Sequence, residues 1–166
     1  MPRSLVLGLI TAAVATVMDQ ITKWWILLYA MNPPREIEIT LFFNLVLVEN
    51  RGISFGMFSN DSRAGVWVLS IIALVIIAFL INWLRKAETR FVAISLGLII
   101  GGAIGNVIDR AVHSAVIDFL DFYVGSFRWP AFNAADTFIS VGAILLIAES
   151  LFSRNPNRSK IQRDQH

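Results

Sequence analysis

The chain has no cysteine, and only two of its 166 residues are histidine. Without cysteine there is no disulfide framework, no thiol nucleophile and no thiolate metal site. The zinc-protease pattern His-Glu-x-x-His is also missing, which leaves Asp109, His113 and Asp118 as a weak metal-ligand set. No motif marks His113 as the base of a nucleophile, so it reads as interfacial or structural. Charge is scarce as well. Fourteen Lys and Arg with twelve Asp and Glu make up 16% of the chain, too little to cover a soluble domain of this length. The formal charge of +2 arises from basic residues beside apolar stretches, so nucleic acid is not an expected partner.

What is present instead is apolar sequence, 56% of the residues, and it falls into four segments. Ala64 to Leu84 carries no charge over 21 residues, enough to cross a hydrocarbon core of roughly 30 Å as a helix. Phe91 to Ile108 is a second uncharged run, separated from the first by a charged turn at residues 85–90, and the two read as a helical hairpin. The first segment, about Leu5 to Leu28, contains Asp19 and Lys23; the last, about Asp136 to Phe152, contains Asp136 and Glu149. Asp19 and Lys23 stand one helical turn apart near the far end of their span, where pairing offsets part of the cost of desolvation. They also interrupt the apolar run, which favours a retained membrane helix over a cleavable signal segment.

With both termini inside, Arg3, Arg85, Lys86, Arg90, Arg154, Arg158, Lys160 and Arg163 all face the cytoplasm, as the positive-inside rule favours. Residues 31–63 then form an outer connection in which Glu36 to Leu41 alternates and Phe43 to Val48 is apolar, a pattern for two short strands. Pro33 and Pro34 end the first helix, and Gly52 and Gly56 mark a turn or a close approach to a ligand. Exposed apolar groups here are suited to lipid headgroups. In the other outer connection, Val116 to Val124 is compatible with a re-entrant segment, an extension of the third helix or a short strand. Trp67, Trp83 and Trp129 serve equally as interfacial anchors or as packing groups. No repeat or separate soluble domain is apparent, so residues 1–166 read as one unit.

Polar residues converge at the outer end of this arrangement. Gly97, Gly101 and Gly105 share a helix face suited to close packing, and Gly102 and Asn106 lie on the neighbouring stripe. Asn106, Asp109 and Arg110 follow at helical spacing, an expensive cluster beside lipid. Asp118 and Asp136 are far apart in sequence, yet the topology brings both to the same membrane face. Two facing carboxylates can share a proton, one drawing a proton from water while the other hydrogen-bonds a peptide carbonyl. Asp121 offers a further acid, one helical turn from Asp118 if that segment is helical. Asn133, three residues before Asp136, suits either substrate binding or a helix cap.

Taken together these residues resemble the bacterial lipoprotein signal peptidase family, signal peptidase II, from Leu5 to Phe152. The resemblance rests on ordered motifs: residues 19–23 (DQITK), 49–55 (ENRGISF), 101–110 (GGAIGNVIDR), 116–119 (VIDF) and 132–136 (FNAAD). The small-Leu-Gly form of the glycine run is Ala103-Ile104-Gly105 here, Asn-Leu-Ala-Asp is Asn133-Ala134-Ala135-Asp136, and Asp121 is an added acid. Asp118 is the first carboxylate by its motif position. The resemblance implies an α-helical membrane protein of four transmembrane helices, with a small β-rich cradle outside the bacterial inner membrane. It further implies an aspartic endopeptidase with Asp118 and Asp136 as its catalytic pair. Asn50, Asn106, Arg110 and Asn133 match positions of substrate binding or site support, and Asp19, Lys23 and Asp109 match positions that preserve local geometry. The implied substrates are prolipoproteins cut just before a diacylglyceryl-modified cysteine. The partners are then substrate and phospholipid, with no obligate protein partner and no metal or cofactor. A small proton-coupled transporter or channel subunit is the competing reading of membrane acids beside a glycine-lined helix.

Overall fold

A computed structural model describes residues 2–52 and 63–153. Ile53, Ser54, Phe55, Gly56 and the basic residues Arg154, Arg158, Lys160 and Arg163 lie outside the described residues. Helix α1 runs Arg3–Trp25 and widens into a single π-helical turn, Ile26–Ala30, before the proline pair stops it. Helix α2 spans Arg63–Arg85, α3 Arg90–His113 and α4 Ala134–Ser153. All four are long and apolar enough to cross a bilayer. Their outward faces carry large exposed side chains such as Val17, Ile21, Val75, Phe79, Ile144 and Ile147. So extensive an apolar surface needs lipid to cover it.

Helix α3 is the central post, and its glycines set how closely its neighbours approach. A Cβ at Gly97 would meet the Gly8 carbonyl oxygen at 2.5 Å, and one at Gly101 the Ala12 carbonyl oxygen at 2.5 Å. One further turn along, Gly105 faces the Asp19 side chain. The three-glycine face expected from sequence therefore packs along α1, with the two helices parallel. On the neighbouring stripe Gly102 meets the Ala135 carbonyl oxygen, and Gly142 of α4 meets that of Ser95, so α4 runs antiparallel to α3. In lipid, where apolar burial supplies little drive, such close van der Waals contact is what holds helices together. Leu84, Leu96 and Ile100 fill the remaining core among α1, α2 and α3.

At one end Ser4 Oγ donates to the Ala87 carbonyl oxygen at 2.8 Å, tying the start of α1 to the turn between α2 and α3. Thr89 caps α3 there, accepting from Val92 N at 3.1 Å. At the opposite end lies an antiparallel sheet, β1 (Ile37–Thr40), β2 (Phe43–Asn50), β3 (Val116–Val124) and β4 (Phe127–Arg128), in that spatial order. The first two strands follow the sequence pattern closely. The third resolves the ambiguity at 116–124: Ser114, left-handed with φ 57°, ends α3 and turns the chain into β3. The cradle therefore draws on both connections and not on residues 31–63 alone. Phe119 and Leu120 pack with Leu45 and Leu47 against Ile26, Ala30 and Met31, seating the sheet on the end of α1.

Candidate active site

The last turns of α1 and α3 lie side by side, and each supplies a carboxylate to one buried ammonium. Lys23 Nζ stands 2.9 Å from Asp19 Oδ2 and 2.8 Å from Asp109 Oδ2. Its third contact is Asn106 Oδ1, at 3.0 Å. An ammonium has three donors and no acceptor, so all three are used. The carboxylates reach further. Asp19 Oδ1 accepts the backbone N–H of Ala135 at 2.9 Å, and Asp109 Oδ2 accepts that of Ile117 at 3.0 Å. Those two residues immediately precede Asp136 and Asp118. Gln20 adds a donor to Asp109 Oδ1 at 2.9 Å. A buried charge is tolerable only when paired and hydrogen-bonded, and this cluster is both.

Asp136 sits in the first turn of α4. Asn133 Oδ1 accepts from Asp136 N at 3.0 Å, while Asp136 Oδ2 accepts from Asn133 N at 3.2 Å, the reciprocal geometry of a capping box. Asp136 Oδ1 accepts from Asn106 Nδ2 at 2.9 Å. The Asn133 amide nitrogen is then free to point elsewhere, and it donates to Asp118 Oδ1 at 2.6 Å. Of the two readings of Asn133, the structure shows the cap: its oxygen caps α4, and its nitrogen bridges to Asp118.

Asp118 projects from β3, and its other oxygen, Oδ2, accepts from Asn50 Nδ2 at 2.9 Å. Asn50 is held in turn by an Asx turn, its Oδ1 accepting from Gly52 N at 2.8 Å. Gly52 has φ +81°, a conformation in which a side chain is strained, and a Cβ there would run into Leu69. Burial pushes the Asp118 carboxyl up to about 6; the Asn50 hydrogen bond opposes this and the nearby Asp136 charge adds to it. Arg110, half-buried on α3, donates to the Asn106 carbonyl oxygen at 3.4 Å and lies within electrostatic reach of Asp136, Asp109 and Asp118.

All nine residues singled out from sequence thus belong to one connected network at the sheet end of the bundle. Asp121 does not. In a strand, residues three apart face opposite ways, so Asp121 turns from Asp118 and pairs with Arg128 at 2.7 Å. His113 stacks edge-on against Trp24 with ring centroids 6.0 Å apart, and Asp109 is taken by Lys23, so Asp109, His113 and Asp118 do not converge as metal ligands. Sequence reasoning passed over Gln20, although its place beside Asp19 in an apolar segment was itself a signal. It also missed the second polar group, Glu36, Asn44, Asp121 and Arg128, whose members are scattered over both connections.

The family model for signal peptidase (SPase) II matches residues 11–152. A protein named lipoprotein signal peptidase from Methylobacterium sp. (strain 4-46) is 42% identical, over 91% of this chain and 92% of its own length. One of the same name from Aeromonas hydrophila subsp. hydrophila is also 42% identical, over 86% of each chain. Among solved structures, two described as a bacterial membrane enzyme align with TM-scores of 0.74 and 0.75. Both are 28% identical, the first covering 91% of this chain and 90% of its own, the second 87% and 92%. With four membrane-length helices and a buried polar network at their sheet end, the chain belongs to the signal peptidase II family.

Proposed function

We propose that this chain is an intramembrane aspartic endopeptidase that removes signal peptides from prolipoproteins, with Asp118 and Asp136 as its catalytic pair. The observation that carries this reading is the Asn133 bridge. One side chain receives the backbone N–H of Asp136 and donates to Asp118, so two acids from different elements share one positioned neighbour. The preferred substrate is a chain cut before a diacylglyceryl-modified cysteine, a thioether that lies on the substrate and explains why the enzyme itself uses none. Surrounding phospholipid is the second partner, and residues 1–166 act as one unit. Arg3, Arg85, Lys86 and Arg90 at one end of the bundle favour cytoplasmic termini in the bacterial inner membrane and a site near its outer face.

In the reaction Asp118 holds the proton and Asp136, whose oxygens are oriented by Asn106 and Asn133, accepts one from water. The water oxygen bonds to the scissile carbonyl carbon while the Asp118 proton passes to the carbonyl oxygen, giving a neutral tetrahedral diol. Collapse breaks the C–N bond as Asp136 passes its proton to the departing nitrogen and a diol hydroxyl returns one to Asp118, releasing a signal peptide with a new carboxyl group and a lipidated cysteine with a free amine. Arg110 meets substrate carbonyl groups beside the pair. Because the protonated form of Asp118 is the active one and its carboxyl titrates at about 6, turnover falls as pH rises through that range. The test is cleavage of a diacylglyceryl-modified prolipoprotein by purified enzyme in lipid. Folded Asp118→Asn and Asp136→Asn variants are expected to lose turnover; near-parental rates in either remove that residue from the pair.

A further inference from the structure

Three asparagine carboxamides face the two acids, and a carboxamide helps a carboxylate only when its NH2 end points at it. Turned by 180°, the same side chain would bring its carbonyl oxygen against the acid, replacing attraction with repulsion. Each amide is therefore useful only if something that donates stands at its oxygen. For Asn50 that group is the Gly52 N–H at 2.8 Å, and for Asn133 the Asp136 N–H at 3.0 Å. Both are backbone locks. Asn106 differs: its Oδ1 accepts from Lys23 Nζ at 3.0 Å and, at the longer distance of 3.3 Å, from Asn133 Nδ2.

We propose that Lys23 is a positioning residue for peptide cleavage, its ammonium holding the Asn106 carboxamide in the orientation that aims Nδ2 at Asp136. The proposal rests on the reading of Asp118 and Asp136 as the catalytic pair. A merely structural ion cluster needs two of the three ammonium hydrogens, for Asp19 and Asp109; the third is directed at the neighbour of a catalytic acid. The two carboxylates keep Nζ in register with the site, since each also grips the backbone N–H one residue before a catalytic acid. Loss of Lys23 therefore leaves the Asn106 oxygen with only the longer Asn133 contact, freeing the carboxamide to turn.

The experiment measures kcat and KM across pH, with a diacylglyceryl-modified prolipoprotein, for the parent and for the double variant Asp19→Asn with Lys23→Met. That pair of changes removes one cation and one anion together, leaving no added net charge in the bundle. The expected result is a kcat lower by about 100-fold from misplacement of the acid. KM stays within about twofold. Parental kcat in the folded variant or a loss carried by KM overturns the proposal. Should the double variant not fold, Asn106→Asp answers the same question. It keeps the Lys23 bond and the side-chain volume but presents an oxygen to Asp136, and parental turnover there would equally overturn it. Failure of the parent enzyme to cleave the prolipoprotein would instead remove the underlying reading.

Discussion

The molecule sets a cation between two carboxylates twice. Among the helices Lys23 lies between Asp19 and Asp109, with side-chain exposures of 2%, 0% and 2%. On the sheet Arg128 lies between Asp121 and Glu36, at 2.7 and 3.2 Å, but the guanidinium is 54% exposed and Glu36 47%, with Asp121 alone buried at 6%. The distances match while the surroundings do not. Water screens the exposed Arg128 and Glu36 and can take over their contact, so that pair contributes little, and the exposed guanidinium weakens the pair with Asp121 as well. Among the helices nothing replaces a missing partner, and every member depends on the others. The buried cluster also holds backbone N–H groups and Asn106, whereas the exposed one joins strand to strand and is supplemented by Arg128 lying 5.2 Å from the Tyr123 ring centroid. Local geometry alone would rank the two as equals; burial decides which one the site depends on.

Substitutions can break this comparison, beginning where the effect is largest. Lys23→Met alone strands two buried carboxylates and is expected to cost about 3 to 5 kcal/mol, read as a lowered thermal midpoint in detergent or lipid. Gly105→Ala comes next. Its new Cβ collides with the Asp19 carboxylate that holds Lys23, with an expected cost of about 1 to 3 kcal/mol and reduced turnover. Asn50→Ala acts on charge more than on stability. It removes the hydrogen bond that opposes the upward shift of Asp118, so the alkaline limb of kcat/KM moves to higher pH, above the parental value near 6. Arg128→Gln is the smallest: the midpoint stays close to the parent's, and what difference exists fades with added salt. A large loss at Arg128 or a small one at Lys23 would reverse the ranking.

Much of this was legible without coordinates because lipid imposes a simple code. The uncharged runs at 64–84 and 91–108 admit little but membrane helices, and observed helices Arg63–Arg85 and Arg90–His113 enclose both. Asp19 and Lys23 were readable as partners from their spacing. Asp109 as the third member was not, since pairing across α1 and α3 depends on the close approach that Gly105 permits. The segment at 116–124 stayed ambiguous because a short apolar run suits helix or strand alike. What settles it is the left-handed Ser114 and pairing with β2, a partner some seventy residues away. That same outcome separates Asp118 from Asp121: their spacing aligns them on a helix and opposes them on a strand. The Glu36 to Arg128 cluster left no sequence trace because its register comes only from the folded sheet.

The central claim is that Asp118, seated in the network of Asn50, Asn133 and Lys23, performs chemistry while Asp121, three residues away and paired with the exposed Arg128, does not. The direct measurement is single-turnover cleavage of a diacylglyceryl-modified prolipoprotein by folded Asp118→Asn and Asp121→Asn enzymes side by side. The account predicts a loss of about 100-fold or more for Asp118→Asn, the scale of a missing acid-base group, and parental cleavage for Asp121→Asn. Retained cleavage by Asp118→Asn together with its loss in Asp121→Asn would contradict it.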